Sequence, residues 1–98
     1  MKIKFVIINI SIRIELDNIY NYIQLDSKDR AEKFVNNILD EIENLILFPE
    51  KGRVIPELNL NHFRELIVNN YRILYRIEKE TIFILAILHM SREFNLDV

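Results

Sequence analysis

The clearest signal in the chain is a run in which Ala31, Phe34, Val35, Ile38, Leu39, Ile42, Leu45 and Ile46 recur every three or four residues, with Lys, Asn, Asp and Glu between them. That period belongs to an α-helix with one apolar face. Asp26 and Ser27 precede the run and offer side-chain acceptors to the free N–H groups of its first turn, and Pro49 stops it. Upstream, Ile12, Leu16, Ile19 and Ile23 form a second such stripe and predict a helix over about residues 12–25. Asn9 or Ser11 can cap it, and Glu15 and Asp17 suit the positive end of its dipole. Ile10, Ile12 and Ile14 also alternate as a strand would, so two periods overlap at this start. Residues 1–8, rich in β-branched and aromatic side chains, read as a strand.

Beyond the loop Pro49-Glu50-Lys51-Gly52-Arg53 the pattern changes to strands: Phe63–Val68, Tyr71–Glu78 and Thr81–His89. Asn69-Asn70 makes a two-residue turn because Asn tolerates φ > 0, and Lys79-Glu80 makes the next. The predicted fold is α+β in the order β-α-α-β-β-β, an antiparallel sheet packed on an N-terminal helical hairpin, with residues 1–98 forming one domain. Such turns pair Val68 with Tyr71 and Glu78 with Thr81, which sets the register of the whole meander. One face then carries Leu66, Val68, Tyr71, Ile73, Tyr75, Ile77, Ile82, Ile84, Ala86 and Leu88 and should cover the helices, with the tyrosine hydroxyls at its rim. The other carries Phe63, Glu65, Ile67, Arg72, Leu74, Arg76, Phe83, Leu85, Ile87 and His89, a surface of charges set among hydrophobes.

Composition narrows the function. Zero cysteines exclude a disulfide framework, a thiolate zinc site and a thiol nucleophile, and fit a reducing cytoplasm. No apolar run approaches the ~20 residues of a membrane span, no signal peptide is visible, and neither a cofactor nor a metal is expected. The net charge of −2 offers little attraction to nucleic acid, although the basic residues lean toward the second half. On the mixed face, Glu65 lies diagonal to both Arg72 and Arg76, within reach of a structural ion pair. The same arginines, with His89 at the end of the last strand and Arg92 just beyond, could instead form a binding floor for carboxylates or phosphates. Glu57 in the loop and His89 have the chemistry of general bases or acids, and equally that of a solvated carboxylate and a structural imidazole. His62 reads as solvated.

Several segments, taken in order, resemble the RelE/ParE family of toxins from bacterial type II toxin–antitoxin modules. They are Leu16 with Ile19-Tyr20-Asn21-Tyr22-Ile23, Ala31 with Phe34, Leu45 with Phe48-Pro49-Glu50-Lys51-Gly52-Arg53, Pro56-Glu57-Leu58, Arg64-Glu65-Leu66, Tyr71-Arg72-Ile73-Leu74-Tyr75-Arg76 and His89-Met90-Ser91-Arg92-Glu93. The resemblance implies the β-α-α-β-β-β order and a cognate antitoxin protein as partner. It also implies one of two targets. ParE-like members poison DNA gyrase, and RelE-like members cut messenger RNA on the ribosome. The RelE branch places lysines where this chain has Phe63 and Glu65, and arginines where it has Arg72 and Arg92. The related YoeB branch uses a Glu, an Arg and a terminal His, which Glu57, Arg72 and His89 match with the histidine one position out of step. A carboxylate in place of a lysine repels a phosphodiester, so the resemblance favours gyrase inhibition, with Arg72, Arg76, His89 and Arg92 as target-binding residues. Ribosome-dependent cleavage by Glu57, Arg72 and His89 is the alternative, and a degenerate member that only binds its antitoxin is the third reading.

Overall fold

The computed structural model describes residues 2–91. A short strand β1 (Phe5–Ile7) leads into helices α1 (Ile10–Gln24) and α2 (Lys28–Asn44), then strands β2 (Arg53–Val54), β3 (Phe63–Val68), β4 (Tyr71–Glu78) and β5 (Thr81–His89). The strands form one sheet in the order β1-β5-β4-β3-β2. The three long strands have the bounds their alternation predicts. The sheet is mixed rather than antiparallel, because β1 joins β5 in parallel. The helical hairpin between them supplies the long crossover that a parallel pair requires. β2 is an additional strand. Its two residues are too few to show a period.

Asn9, not Ser11, caps α1: its side chain accepts from the Ile12 N–H at 3.0 Å. The helix therefore starts at Ile10, leaves Ile10 and Ile14 on the solvent side, and holds no acidic residue in its first turn. Ile12, Leu16 and Ile19 enter the core, as their spacing predicts. Ser27 caps α2 by accepting from the Arg30 N–H at 3.2 Å. Ala31, Phe34, Ile38 and Ile42 are buried along that helix, followed by its cap residue Leu45, while Leu39 and Ile46 stay exposed at the edge of the stripe. The helix ends at Asn44, ahead of Pro49, in a succession of turns.

Both predicted turns pair as expected, Val68 with Tyr71 and Glu78 with Thr81, and Asn69 and Lys79 take φ of 55° and 54°. The faces do not run unbroken. Between Tyr75↔Ile84 and Leu74↔Ala86, β5 carries an extra residue, Leu85. This bulge reverses which side chains face the helices beyond it. Ile87 and His89 turn to the helix side, and Ala86 and Leu88 turn away, the reverse of the uninterrupted register. Ile87 is accordingly buried with Ile73, Ile82, Ile84, Phe34 and Ile38 in the main core.

The opposite face is not an open mixed surface. Ile55, just after β2, continues the ladder by donating from its N–H to the Phe63 carbonyl at 3.0 Å. It packs on Phe63 and Leu74 as a second small core, flanked by Leu58, Leu85, Ala86 and Leu88. Tyr75 also departs from its expected place at the rim. Its hydroxyl is buried, donates to the Pro49 carbonyl at 2.7 Å and accepts from the Gly52 N–H at 3.0 Å. Burial pushes the pKa of that hydroxyl up, which keeps it a donor.

Candidate functional site

Four charged side chains form a ladder across the face away from the helices. β2 pairs with β3 so that Arg53 lies opposite Glu65, and Arg53 Nε donates to Glu65 Oε1 at 2.6 Å. From β4, Arg72 Nε donates to Glu65 Oε2 at 2.6 Å. The same guanidinium also meets Glu57, with Nη1 and Nη2 donating to its two oxygens at 2.9 and 2.8 Å, and Nη2 lies 2.6 Å from Glu65 Oε2 as well. Glu65 is fully buried, Arg72 is 10% exposed at its side chain and Glu57 38%. Signs alternate along the ladder, so each inner charge has an opposite charge on either side. The hydrogen bond from Arg72 holds the Glu57 carboxyl below the usual carboxylate range, against the opposing effect of desolvation. Glu57 and then Glu65 hold Arg72 protonated even more firmly than a free arginine.

The remaining predicted site residues scatter. Arg76 does not reach Glu65. It pairs with Glu78 at 3.0 Å and lies over the Phe83 ring, 4.6 Å from its centroid, because Phe83 is its cross-strand partner. His89 lies on the helix side, edge-on to Tyr71 at 5.1 Å between centroids. Its Nδ1 accepts from the Ser91 N–H at 3.1 Å, which assigns the proton of the neutral ring to Nε2. His62 is exposed and lies tilted against the Phe63 ring, 4.6 Å between centroids. Arg92 lies outside the described residues. Glu57 and Arg72 are thus brought together, and His89 is separated from both by the sheet.

The family model for the ParE toxin of the type II toxin–antitoxin system parDE matches residues 8–94. This chain belongs to the ParE toxin family. A solved chain described as the chromosomal ParDE TA system from P. aeruginosa has the same fold. It superposes with a TM-score of 0.68 at 22% identity, covering 93% of this chain and 98% of that one. No curated protein matches the sequence.

This ParE-family toxin holds, among its described residues, no cluster of His, Asp or Glu able to bind a metal, and no helix long and apolar enough to cross a membrane. Sequence reasoning missed Arg53, the outer member of the ladder. It became a partner of Glu65 only through β2, and the available signal was its place directly after the lone glycine, Gly52.

The ladder makes the fold acid-sensitive in a defined window. The folded-state pKa of Glu57 is depressed, so its contribution is present above the ordinary value near 4.5 and is lost as pH falls through the lowered one. Urea midpoints of the native protein and of Glu57→Gln should therefore differ at pH 6 and converge as the pH falls below about 4. A gap that persists unchanged in strong acid would show that the charge of Glu57 is not what stabilises the turn.

Proposed function

We propose that this ParE-family toxin acts by binding and poisoning DNA gyrase in the cytoplasm, and that a cognate antitoxin neutralises it. One observation supports a binding mode of action above all others. The imidazole that an endonuclease of this general type would need lies across the sheet from Glu57 and Arg72, and those two groups are committed to each other. Cleaving a phosphodiester requires a base at the attacking 2′-hydroxyl and an acid at the leaving oxygen on one side of one phosphate. Poisoning by docking needs only a complementary surface. Arg76 lying over Phe83, with Ile7 paired beside it, offers a cation and apolar area of the kind that anchors protein interfaces.

The test sets two assays on one preparation. Purified toxin should inhibit ATP-dependent supercoiling of relaxed plasmid by gyrase, and Arg76→Ala should weaken that inhibition without unfolding the protein. The same preparation should leave messenger RNA intact on translating ribosomes. Cleavage near the codon in the decoding site, lost in Glu57→Ala or His89→Ala, would establish the nuclease reading instead. Neither effect from soluble protein would leave antitoxin binding as its function.

A further inference from the structure

We propose that β1 is a self-pairing edge, along which two copies of this chain join antiparallel into one continuous sheet. β1 ends the strand order, and among the described residues no strand covers its outer side. The register with β5 fixes which main-chain groups look outward. Phe5 donates its N–H to the Glu80 carbonyl at 3.2 Å, so in this parallel ladder Phe5 and Ile7 direct their backbone groups to β5. Val6, between them, directs its N–H and carbonyl to the open edge. Side chains alternate across the sheet. Val6 and Ile8 pack on the main core, whereas Phe5 and Ile7 lie on the face away from the helices, 59% and 45% exposed. Sheet edges are normally guarded by a charge, a proline or a bulge. Residues 5–12 hold no charge and no proline, β1 pairs with β5 without a bulge, and Lys4 just ahead of it is drawn to Glu80 at 3.5 Å.

The occupant that fits this edge is β1 itself. Because Val6 carries the outward groups, a two-fold axis beside it pairs Val6 with Val6 of the second copy through two N–H···O bonds. That axis sets Phe5 opposite Ile7 of the second copy, and Ile7 opposite its Phe5. Each apolar side chain left exposed in one copy thus gains an apolar neighbour, and Lys4 falls opposite Ile8, so no like charges meet. Two five-stranded sheets become one, with the helices of both copies on one face and both Arg76–Phe83 pairs on the other. Arg76 therefore stays open for docking in either state. Contact along so short a strand buries less than the ~1,200 Å² of a stable complex, so the dimer is a species of concentrated protein.

Sedimentation velocity of the full chain from about 10 to about 500 µM should show the mass rising from that of one chain, 11.8 kDa, toward twice that value. Val6→Pro removes the outward N–H without touching a bond to β5 and should hold the protein monomeric. Ile7→Lys sets a charge against Phe5 of the second copy and gives the same reading should the proline variant not fold. Leu47→Ser removes an apolar side chain that is 73% exposed in the segment leading to β2, at the opposite edge of the sheet, and should leave association unchanged. The chain has no cysteine, so cross-linking reads the register. A mixture of Phe5→Cys and Ile7→Cys chains should form a disulfide dimer under mild oxidation, because the two positions face each other as a close pair, and neither variant alone should match its rate. A monomer at every concentration, or an association that Leu47→Ser abolishes and the β1 variants leave intact, would overturn the proposal. Cross-linking of either variant alone as fast as the mixture would overturn the two-fold register. None of these readouts involves gyrase, so the pairing stands or falls independently of the target.

Discussion

Glu65→Ala should destabilise the protein by about 3–5 kcal/mol, the cost of removing one member of a buried ion pair and leaving its partner short of charge. The damage concentrates at Arg72. Arg53 is 62% exposed and can turn its guanidinium to water, whereas Arg72 is 10% exposed and loses the buried anion that holds its Nε. Arg72→Ala fails for the converse reason, since it leaves the fully buried Glu65 with a single cation on the solvent side. Replacing both is a different experiment. Ile67, Leu74 and Leu88 already surround the pair through the strand register, so Glu65→Leu combined with Arg72→Leu extends an apolar floor instead of orphaning a charge. Urea midpoints of the native protein, the two single variants and the double should show the double recovering most of the loss. A double variant as unstable as the two single losses added together would mean that the ladder is not a coupled unit.

That coupling bears on how toxicity data are read. An Arg72 variant should lose stability whatever else it loses, so any inhibition must be compared per folded molecule. Arg76 is the cleaner probe of docking. Its side chain is one-third exposed, and Glu78, which it pairs with, is itself 53% exposed and can turn to water when it is gone.

The three long strands were legible because turn chemistry and alternation agree. Asn69 and Lys79 accept positive φ, and the pairs they set, Val68 with Tyr71 and Glu78 with Thr81, are those the turns predict. The helices were legible for the same reason, with Asn9 and Ser27 capping where short polar residues precede an apolar stripe. The bulge at Leu85 was not. β5 reads Thr-Ile-Phe-Ile-Leu-Ala-Ile-Leu-His, nearly apolar throughout, so a one-residue shift exchanges one hydrophobe for another and leaves no mark on the pattern. The shift places Ile87 in the main core in place of the smaller Ala86, and carries His89 away from Arg72 with it. The second missed feature, β2, is invisible at two residues, yet it brings Arg53 to Glu65 and lets Ile55 cover the far face. Cross-strand register placed Glu65 within reach of Arg72 correctly, because the Asn69-Asn70 turn sets the β3–β4 pairing and the bulge lies in β5, outside that pair.

Gly52→Ala should cost about 3 kcal/mol, from overpacking together with buried hydrogen bonds that must stretch or break. Gly52 is not in the left-handed region, so the requirement is for space and not for backbone freedom. A Cβ there would sit 2.6 Å from the Glu65 carbonyl oxygen, 2.7 Å from the Tyr75 hydroxyl and 2.8 Å from Tyr75 Cε1. The carbonyl belongs to the central part of β3 and cannot swing aside. The ring has no exposed surface and is packed among Leu66, Ile73 and Ile84 in the main core. The element free to yield is therefore the segment that carries Gly52. Moving it outward breaks the bonds of the Tyr75 hydroxyl to Pro49 and Gly52 and lifts β2 from β3, which draws Arg53 off Glu65. Amide exchange should show this as lost protection at Ile55, whose N–H closes the ladder onto Phe63, while the Leu66 and Ile73 amides stay protected up to global unfolding. Native-like stability together with retained protection at Ile55 would mean that the sheet accommodates a methyl group here, and that the close approach of Gly52 is not what seats Arg53 beside the buried carboxylate.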